Sequence, residues 1–180
     1  MTTSPVVSGR SLAYCAALIP LAVWAVIAAL CGRAEAAAQR WGWFRTRMLN
    51  VPPPRATHRP GILAIAGHAV LSVLLGAAAL VPLGIEYLFV ARGVFYGLTD
   101  AGPYDHSWGG PTRGGAWLVH FLITVPLAGA GILVLAGIAA VHQRLTVGLT
   151  GRRPGPWPIV ATVLLAAGAV AFFIAWLHQL

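Results

Sequence analysis

Four long apolar segments, separated by polar connections, dominate the pattern of the chain. They cover residues 11–32, 61–91, 115–141 and 157–177. Each has the roughly 20 mainly apolar residues that an α-helix needs to cross the hydrocarbon core of a bilayer. The pattern therefore predicts an all-α protein: a single membrane domain over residues 1–180, built as a bundle of four transmembrane helices.

The second apolar segment is longer than a straight crossing requires. As a helix, residues 61–91 would reach roughly 45 Å, against ~30 Å of hydrocarbon. Pro82 interrupts the segment, so it either tilts as one helix or is kinked at Pro82. Two ionisable residues, His68 and Glu86, also fall within it.

The connection at residues 33–60 has an amphipathic pattern that predicts a helix over its first part, residues 33–49. Arginines recur at every seventh position and form one stripe: Arg33, Arg40 and Arg47. An adjacent apolar stripe contains Trp41, Phe44 and Met48. This pattern is typical of a helix on the cytoplasmic membrane surface, with arginines toward lipid phosphates and aromatic rings in the interface. A solvated basic loop is the alternative. Prolines at 52–54 would end the helix.

Composition supports a membrane protein and argues against nucleic-acid binding. Hydrophobic residues make up 58% of the chain and charged residues 9%, where soluble domains have about 25% charged residues. The mean hydropathy is +0.79. The net charge of +8 comes from twelve basic residues, all arginines, and these lie mainly in the connections. Enrichment of basic residues on the cytoplasmic side explains this charge, so the expected partner is the lipid bilayer.

The distribution of arginines predicts the orientation in the membrane. Nine arginines lie in the first and third connections, and three lie in the N-terminus and the second connection, residues 92–114. The positive-inside rule then places the two basic connections in the cytoplasm. With four crossings, both termini would lie outside.

A cluster of polar residues around the second connection is the candidate ligand or signal site. It contains Glu86, Asp105, His106, Trp108 and His120. Asp and His side chains exchange protons or bind cations, and charges near lipid require partners. Two structural alternatives remain: the loop only caps the bundle, or Glu86 pairs with Arg92.

The sequence contains no recognisable catalytic motif. It lacks a phosphate-binding glycine loop with lysine, an HExxH metal motif and a serine nucleophile elbow. We therefore expect a non-enzymatic protein with no catalytic residue, metal or cofactor. His68 and His120 lie at different predicted depths, so we expect each to form a hydrogen bond between helices rather than to bind haem together.

Several short motifs resemble a known family. They are Met-Leu-Asn-Val-Pro-Pro-Pro at 48–54, Pro-Tyr-Asp-His-Ser-Trp-Gly-Gly-Pro-Thr at 103–112, Gly-Ala-Trp-Leu-Val-His at 115–120, His-Gln-Arg-Leu at 142–145 and Leu-Thr-Gly at 149–151. Over about residues 18–151 the chain resembles the sensor-domain family of actinobacterial membrane proteins, often found ahead of a histidine kinase. The resemblance implies a protein that detects an extracytoplasmic or membrane signal and relays it to a membrane or cytoplasmic partner.

The fourth apolar segment leaves a second interpretation open. Residues 157–177 stand where a cytoplasmic output domain would follow in that family, so the chain is alternatively an accessory or scaffold subunit of a membrane complex such as a transporter. This segment also carries small residues at spacing four: Ala167, Ala171 and Ala175. Such a stripe allows close helix packing within the bundle or in a homo-oligomer.

Overall fold

The computed structural model describes residues 9–52, 59–151 and 154–179. In these ranges the regular structure is helical, with no strand. The α-helices are α1 (Gly9–Ala16), α2 (Leu18–Leu30), α3 (Ala34–Leu49), α4 (Ile62–Leu88), α5 (Tyr96–Thr99), α6 (Arg113–Val147) and α7 (Trp157–Leu177). Two further helical turns continue α4 and α6: a π-helix at Phe89–Val94 and a 3-10 helix at Gly148–Thr150.

Within the described residues, three helical stretches are long and apolar enough to cross a membrane: Ile62–Val94, Arg113–Thr150 and Trp157–Leu177. The all-α class and these three predicted segments are thus confirmed. The first predicted segment is divided into α1 and α2, which are bent by 43° at Ala17. Such a bent pair is either one broken span or a re-entrant loop, so the predicted count of four spans remains a prediction.

The second predicted segment continues as an α-helix through Pro82 to Leu88. Membrane helices tolerate an internal proline because neighbouring groups satisfy the freed carbonyl. The predicted helix over residues 33–49 is confirmed by α3. Parts of the predicted connections lie outside the described residues: the prolines at 53 and 54, Arg55, Arg152 and Arg153.

The chain divides into two compact units. The first unit comprises Met1–Val81 and Leu135–Leu180, and the second unit comprises Pro82–Val134. The first unit contains α1 to α3, the beginning of α4, the end of α6 and α7. The second unit contains the end of α4, the π-helix, α5, the loop that follows and the beginning of α6.

In the first unit, α2 and α3 form a helical hairpin. Gly32 has a φ of 75°, which turns the chain, and the Arg33 amide donates to the Ala28 carbonyl at 2.8 Å. This bond satisfies a free carbonyl at the end of α2. α3 then packs against both α2 and α1. It ends at Asn50, which has a left-handed φ of 53°.

α1 runs antiparallel to the end of α6. The Tyr14 hydroxyl lies 2.7 Å from Nδ1 of His142, near the C-terminal end of α6. One residue later, the Cys15 thiol donates to the Leu135 carbonyl at 3.4 Å, two turns earlier along α6. As the residue number rises along α1, it therefore falls along α6.

α1 runs parallel to the beginning of α4. Tyr14 and His68 lie at the same height along the bundle, because both side chains contact the imidazole of His142 on α6. Further along, Leu18 and Ile19 pack against Gly76, where a Cβ would lie 2.6 Å from Ile19 Cγ1. Only a glycine allows this approach, which holds the α1–α2 junction against α4.

α3 runs antiparallel to α2 and α1 and packs along both of them. Arg40 lies over the Trp24 ring of α2 at 5.0 Å, and further along α3 the Phe44 ring stacks on Tyr14 of α1 at 4.9 Å. Four helix termini consequently meet at one end of the first unit, here called the histidine end: Gly9 of α1, Leu49 of α3, Ile62 of α4 and Val147 of α6.

The second unit is held together by contacts between the π-helix, α5 and the start of α6. The Tyr96 and His120 rings stack with centroids 4.4 Å apart. The Arg113 guanidinium donates to the Gly97 carbonyl, and the Trp117 indole donates to the Val94 carbonyl at 3.4 Å. These bonds satisfy carbonyls where the regular α-helix has ended.

Candidate functional site

Two buried histidines face each other at the histidine end. His68 of α4 and His142 of α6 have ring centroids 5.0 Å apart and planes inclined at 67°. Both side chains are buried, as are their hydroxyl neighbours Tyr14, Ser72 and Thr146. So many polar side chains in a largely apolar bundle require mutual hydrogen bonds, because unpaired polar groups are costly there.

Hydrogen bonds connect the two imidazoles through hydroxyl groups. His142 Nδ1 lies 2.7 Å from the Tyr14 hydroxyl, and its Nε2 lies 2.9 Å from Ser72 Oγ. The Ser72 hydroxyl donates to the His68 carbonyl at 2.7 Å. His68 Nε2 lies 3.3 Å from Thr146 Oγ1, and the Thr146 hydroxyl donates to the His142 carbonyl at 3.0 Å.

One arrangement of protons satisfies all these contacts. Tyr14 donates to Nδ1 of His142, which donates from Nε2 to Ser72, and His68 donates from Nε2 to Thr146. Both imidazoles are then neutral. A second proton on His142 would make Nδ1 a donor, and the Tyr14 proton would lose its acceptor. The bond from Tyr14 therefore requires a neutral His142 ring, while His68 Nδ1 lies 3.3 Å from Ser72 Oγ.

Trp41 of α3 packs against both histidine rings. Its ring centroid lies 5.0 Å from His68 and 4.9 Å from His142, and the residue is only 2% exposed. Its indole nitrogen has no hydrogen-bond partner among the described residues. With Tyr14 on α1, the cluster therefore joins side chains of four helices: α1, α3, α4 and α6.

Arg45 lies one helical turn after Trp41 on α3. It is 5% exposed, and its Nη2 donates to the Pro52 carbonyl at 2.7 Å, which fixes the chain beyond α3. Burial lowers the pKa of the Arg45 guanidinium, and the neighbouring Tyr14 raises it. Glu35, the one acidic residue of the first unit, pairs with Arg59 at 3.5 Å. Arg45 therefore has no carboxylate partner among the described residues.

The arrangement is suited to holding helices in register. Within the parts of the chain that the structure describes, no group of three or more His, Cys, Asp or Glu side chains is close enough to hold an ion. The two imidazole rings are in direct contact, and Ser72 bonds between them.

The structure does not bring the predicted outer cluster together. Asp105, His106 and Trp108 are exposed, Trp108 by 74%, and the first two have no side-chain hydrogen bond or ion pair to any described residue. His120 instead stacks on Tyr96, and its Nδ1 lies 2.8 Å from the Ala116 carbonyl of its own helix. The expected hydrogen bond from His120 to another helix was therefore wrong.

Glu86 does not pair with Arg92. Its Oε1 is buried without a hydrogen-bond partner among the described residues, and it lies against Gly131, where a Cβ would be 2.6 Å away. Arg92 pairs instead with Asp100 at 3.5 Å. The alternative that Glu86 pairs with Arg92 is therefore wrong, because the carboxylate that pairs with Arg92 is that of Asp100.

Asp100 is the charged centre of the second unit. The Gly102 amide donates to its Oδ1 at 3.0 Å, and this bond is the main cause that lowers the pKa of Asp100. Burial acts in the opposite direction, and Tyr96 and Arg92 lower the pKa further. The pKa of Tyr96 is raised, first by burial and then by its hydrogen bond to the Asp100 carboxylate.

The predicted membrane-surface residues are divided between two sides of α3. The arginines of the stripe are all exposed: Arg33, Arg40 and Arg47. Trp41 is buried in the histidine cluster, which corrects its expected place in the lipid interface. Phe44 is half-buried, with its ring stacked on Tyr14. Trp43, 63% exposed, occupies the outer side instead.

Sequence reasoning found one member of the network and missed the others. His68 was expected to bond between helices, and its contact with Thr146 of α6 confirms this. His142, Ser72 and Tyr14 were not recognised as its partners. The available signal was the helical spacing of His68 and Ser72, and of His142 and Thr146, each four residues apart and hence on one face.

Comparison with known proteins adds no relative. No family model matches the chain, and no curated protein and no solved structure matches it. The resemblance to actinobacterial sensor domains therefore rests only on the sequence motifs given above, and a function has to be argued from the geometry of the two units.

Proposed function

We propose that this chain is a non-enzymatic, multi-pass membrane protein that acts as a sensor. It detects a signal at the outer face or in the bilayer and relays it to a partner through movement of its helices. The observation that carries the proposal is the hydrogen-bond network of Tyr14, His68, Ser72 and His142 at the histidine end.

The network supports a relay because it is satisfied in one register only. A shift of α6 along α4 by one residue is about 1.5 Å, enough to break bonds of 2.7 and 2.9 Å. Each buried polar group left unpaired costs about 1–3 kcal/mol. Small helix movements are thus converted into two discrete states, intact and broken, which is what a switching element requires.

The helix directions also bear on the orientation of this sensor. The four termini at the histidine end include the start of α4 and the end of α6, which border the two arginine-rich connections. With the segments that follow α3 and α6 in the cytoplasm, α1 also begins on the cytoplasmic side, and residues 9–49 return to that side as a re-entrant hairpin. Three spans remain, α4, α6 and α7, and they place the C-terminus outside.

An accessory or scaffold subunit of a membrane complex, such as a transporter, is the second candidate. It is favoured by α7, of which only Pro158 and Thr162 are buried within the described residues. The rest of this apolar helix is available to a partner helix or a second copy of the chain. In that case the histidine network would fix the helices without switching.

Spin-label distances distinguish the two candidates. Labels at exposed Gln39 of α3 and Ala140 of α6, introduced in a background with Cys15→Ala and Cys31→Ser, report how α3 sits on α6. We expect one narrow distance distribution in the otherwise unchanged protein. Ser72→Ala removes the hydroxyl between the imidazoles, and we expect it to add a second distance or to broaden the first.

The matched control is Ser11→Ala, because Ser11 is buried in the same unit but makes no side-chain hydrogen bond with a described residue. This variant should keep the narrow distribution. An unchanged distribution in Ser72→Ala, accompanied only by a lower melting temperature, would overturn the sensor proposal and leave the scaffold candidate.

A further inference from the structure

The groove between α2 and α3 contains two adjoining cavities of about 410 Å³ each. Three side chains line both of them: Trp24, Arg40 and Trp43. The cavities differ in the rest of their lining. The first is otherwise apolar, with Ala17, Pro20, Leu21 and Phe44, and the second also has Arg33, Ala36 and Gln39.

The second cavity has an uncompensated positive charge. The Arg33 and Arg40 side chains form no hydrogen bond or ion pair with any described residue, and both are exposed. Arg40 is positioned by the Trp24 ring, 5.0 Å below its guanidinium carbon. Glu35 is the one acidic residue nearby in sequence, and it pairs with Arg59. The groove therefore attracts an anion that no described residue of the first unit supplies.

The apolar cavity defines what kind of anion fits. A free phosphate would occupy the arginine side and leave the surfaces of Leu21, Phe44 and the two tryptophans uncovered. An amphiphile with an anionic headgroup covers both. Tryptophan is also the residue that favours the level of lipid headgroups, and Trp43 is 63% exposed at the junction of the cavities.

From these features we infer that the α2–α3 groove binds an anionic phospholipid. The phosphate lies between Arg33 and Arg40, Gln39 donates a further hydrogen bond, and the start of an acyl chain occupies the apolar cavity. Guanidinium groups bind phosphate oxygens in a planar, bidentate manner. This site does not depend on the sensor function, because it lies outside the histidine network.

The site is tested by titrating the full-length protein in detergent with phosphatidylglycerol or phosphatidylcholine and counting bound lipids by native mass spectrometry. We expect tighter binding of phosphatidylglycerol. Each of Arg33→Gln and Arg40→Gln should weaken it by roughly fivefold, the usual effect of one basic residue near anionic lipid. Binding of phosphatidylcholine should change little.

Arg47→Gln is the matched control, because Arg47 is equally exposed on α3 but does not line either cavity. It should retain the preference for phosphatidylglycerol. Trp43→Ala should weaken binding of both lipids, since it removes the wall shared by the cavities. Soluble glycerol phosphate should not displace the bound lipid.

Three results would overturn the inference. Equal affinity of the unchanged protein for the two lipids would remove the charge preference. An equal loss in Arg47→Gln and Arg40→Gln would indicate general surface attraction instead of a site. Displacement of the lipid by glycerol phosphate would indicate a phosphate site without an acyl-chain cavity. Circular dichroism of each variant verifies that its helices are intact.

Discussion

At the scale of single residues, the histidine network depends on one tyrosine. The Tyr14 hydroxyl supplies the proton that His142 Nδ1 accepts at 2.7 Å, and the ring also stacks on Phe44. Removal of the hydroxyl keeps the stacking but leaves a buried imidazole nitrogen without a donor. Because such an unpaired acceptor costs about 1–3 kcal/mol, one oxygen atom contributes measurably to the stability of the first unit.

Tyr14→Phe should accordingly lower the melting temperature of the protein in detergent. Tyr87→Phe removes the same hydroxyl from a tyrosine of α4 that is 71% exposed, and it should have almost no effect. Thermal unfolding followed by circular dichroism measures both variants. Equal melting temperatures for the two would contradict the role assigned to the Tyr14 hydrogen bond.

The sequence showed which buried side chain needs a hydrogen bond, but it did not show which side chains would be its partners. It identified His68 as a side chain that needs a hydrogen bond, because a polar group in an apolar segment must be satisfied. It placed the functional cluster at Asp105 and His106, where charge is concentrated, although these side chains are exposed. Which histidines meet depends on helix order and rotation, and no local pattern contains that information.

At the scale of elements, the apolar segments gave the helices but not their packing. The predicted segment 157–177 coincides with α7, and the predicted helix over 33–49 coincides closely with α3. The faces of α3 could not be predicted, because tryptophans two residues apart point to opposite sides. Trp41 is buried and Trp43 exposed only because α3 folds back on α2 and α1.

The packing of the α1–α2 junction against α4 depends on a close approach at Gly76. A methyl group there would meet Ile19 Cγ1 at 2.6 Å and the Ile19 amide nitrogen at 3.3 Å. Gly76→Ala should therefore push the α1–α2 junction away from α4 and lower the melting temperature, in spite of the better helix propensity of alanine.

Gly67→Ala is the control for this change. Gly67 lies on the same helix with nothing within 4 Å of its would-be Cβ, so alanine should stabilise the helix, by up to about 1 kcal/mol. Opposite shifts of the two melting temperatures are the expected result. A Gly76→Ala protein as stable as Gly67→Ala would argue against a tight contact between α1 and α4.

At the scale of the whole molecule, counting arginines and following helix directions give different positions for the N-terminus. The arginine count places it outside, on the assumption that residues 11–32 cross the membrane once. The direction of α1, parallel to α4, instead supports the proposed re-entrant hairpin of residues 9–49, which begins and ends on one side. Charge determines which loops stay inside, but it does not reveal a segment that turns back.

Reporter-protein fusions distinguish an N-terminus in the cytoplasm from one outside the cell. Green fluorescent protein attached before the N-terminus fluoresces only in the cytoplasm, so we expect fluorescent cells. Alkaline phosphatase attached after the C-terminus is active only outside, and we expect activity, because three spans carry the chain across. A dark N-terminal fusion at normal expression would restore the prediction of four spans.

The direction of the hydrogen bonds at the histidine end has a consequence for proton transport. A proton wire needs every member to accept a proton on one side and pass another on. Ser72 Oγ lies between the two rings, 2.9 Å from Nε2 of His142 and 3.3 Å from Nδ1 of His68. In the observed arrangement the Ser72 proton is donated to the His68 carbonyl at 2.7 Å, and a carbonyl oxygen has no proton to pass on. Rotation of this one hydroxyl onto His68 Nδ1 would instead join the two imidazoles, so proton exchange between them depends on Ser72.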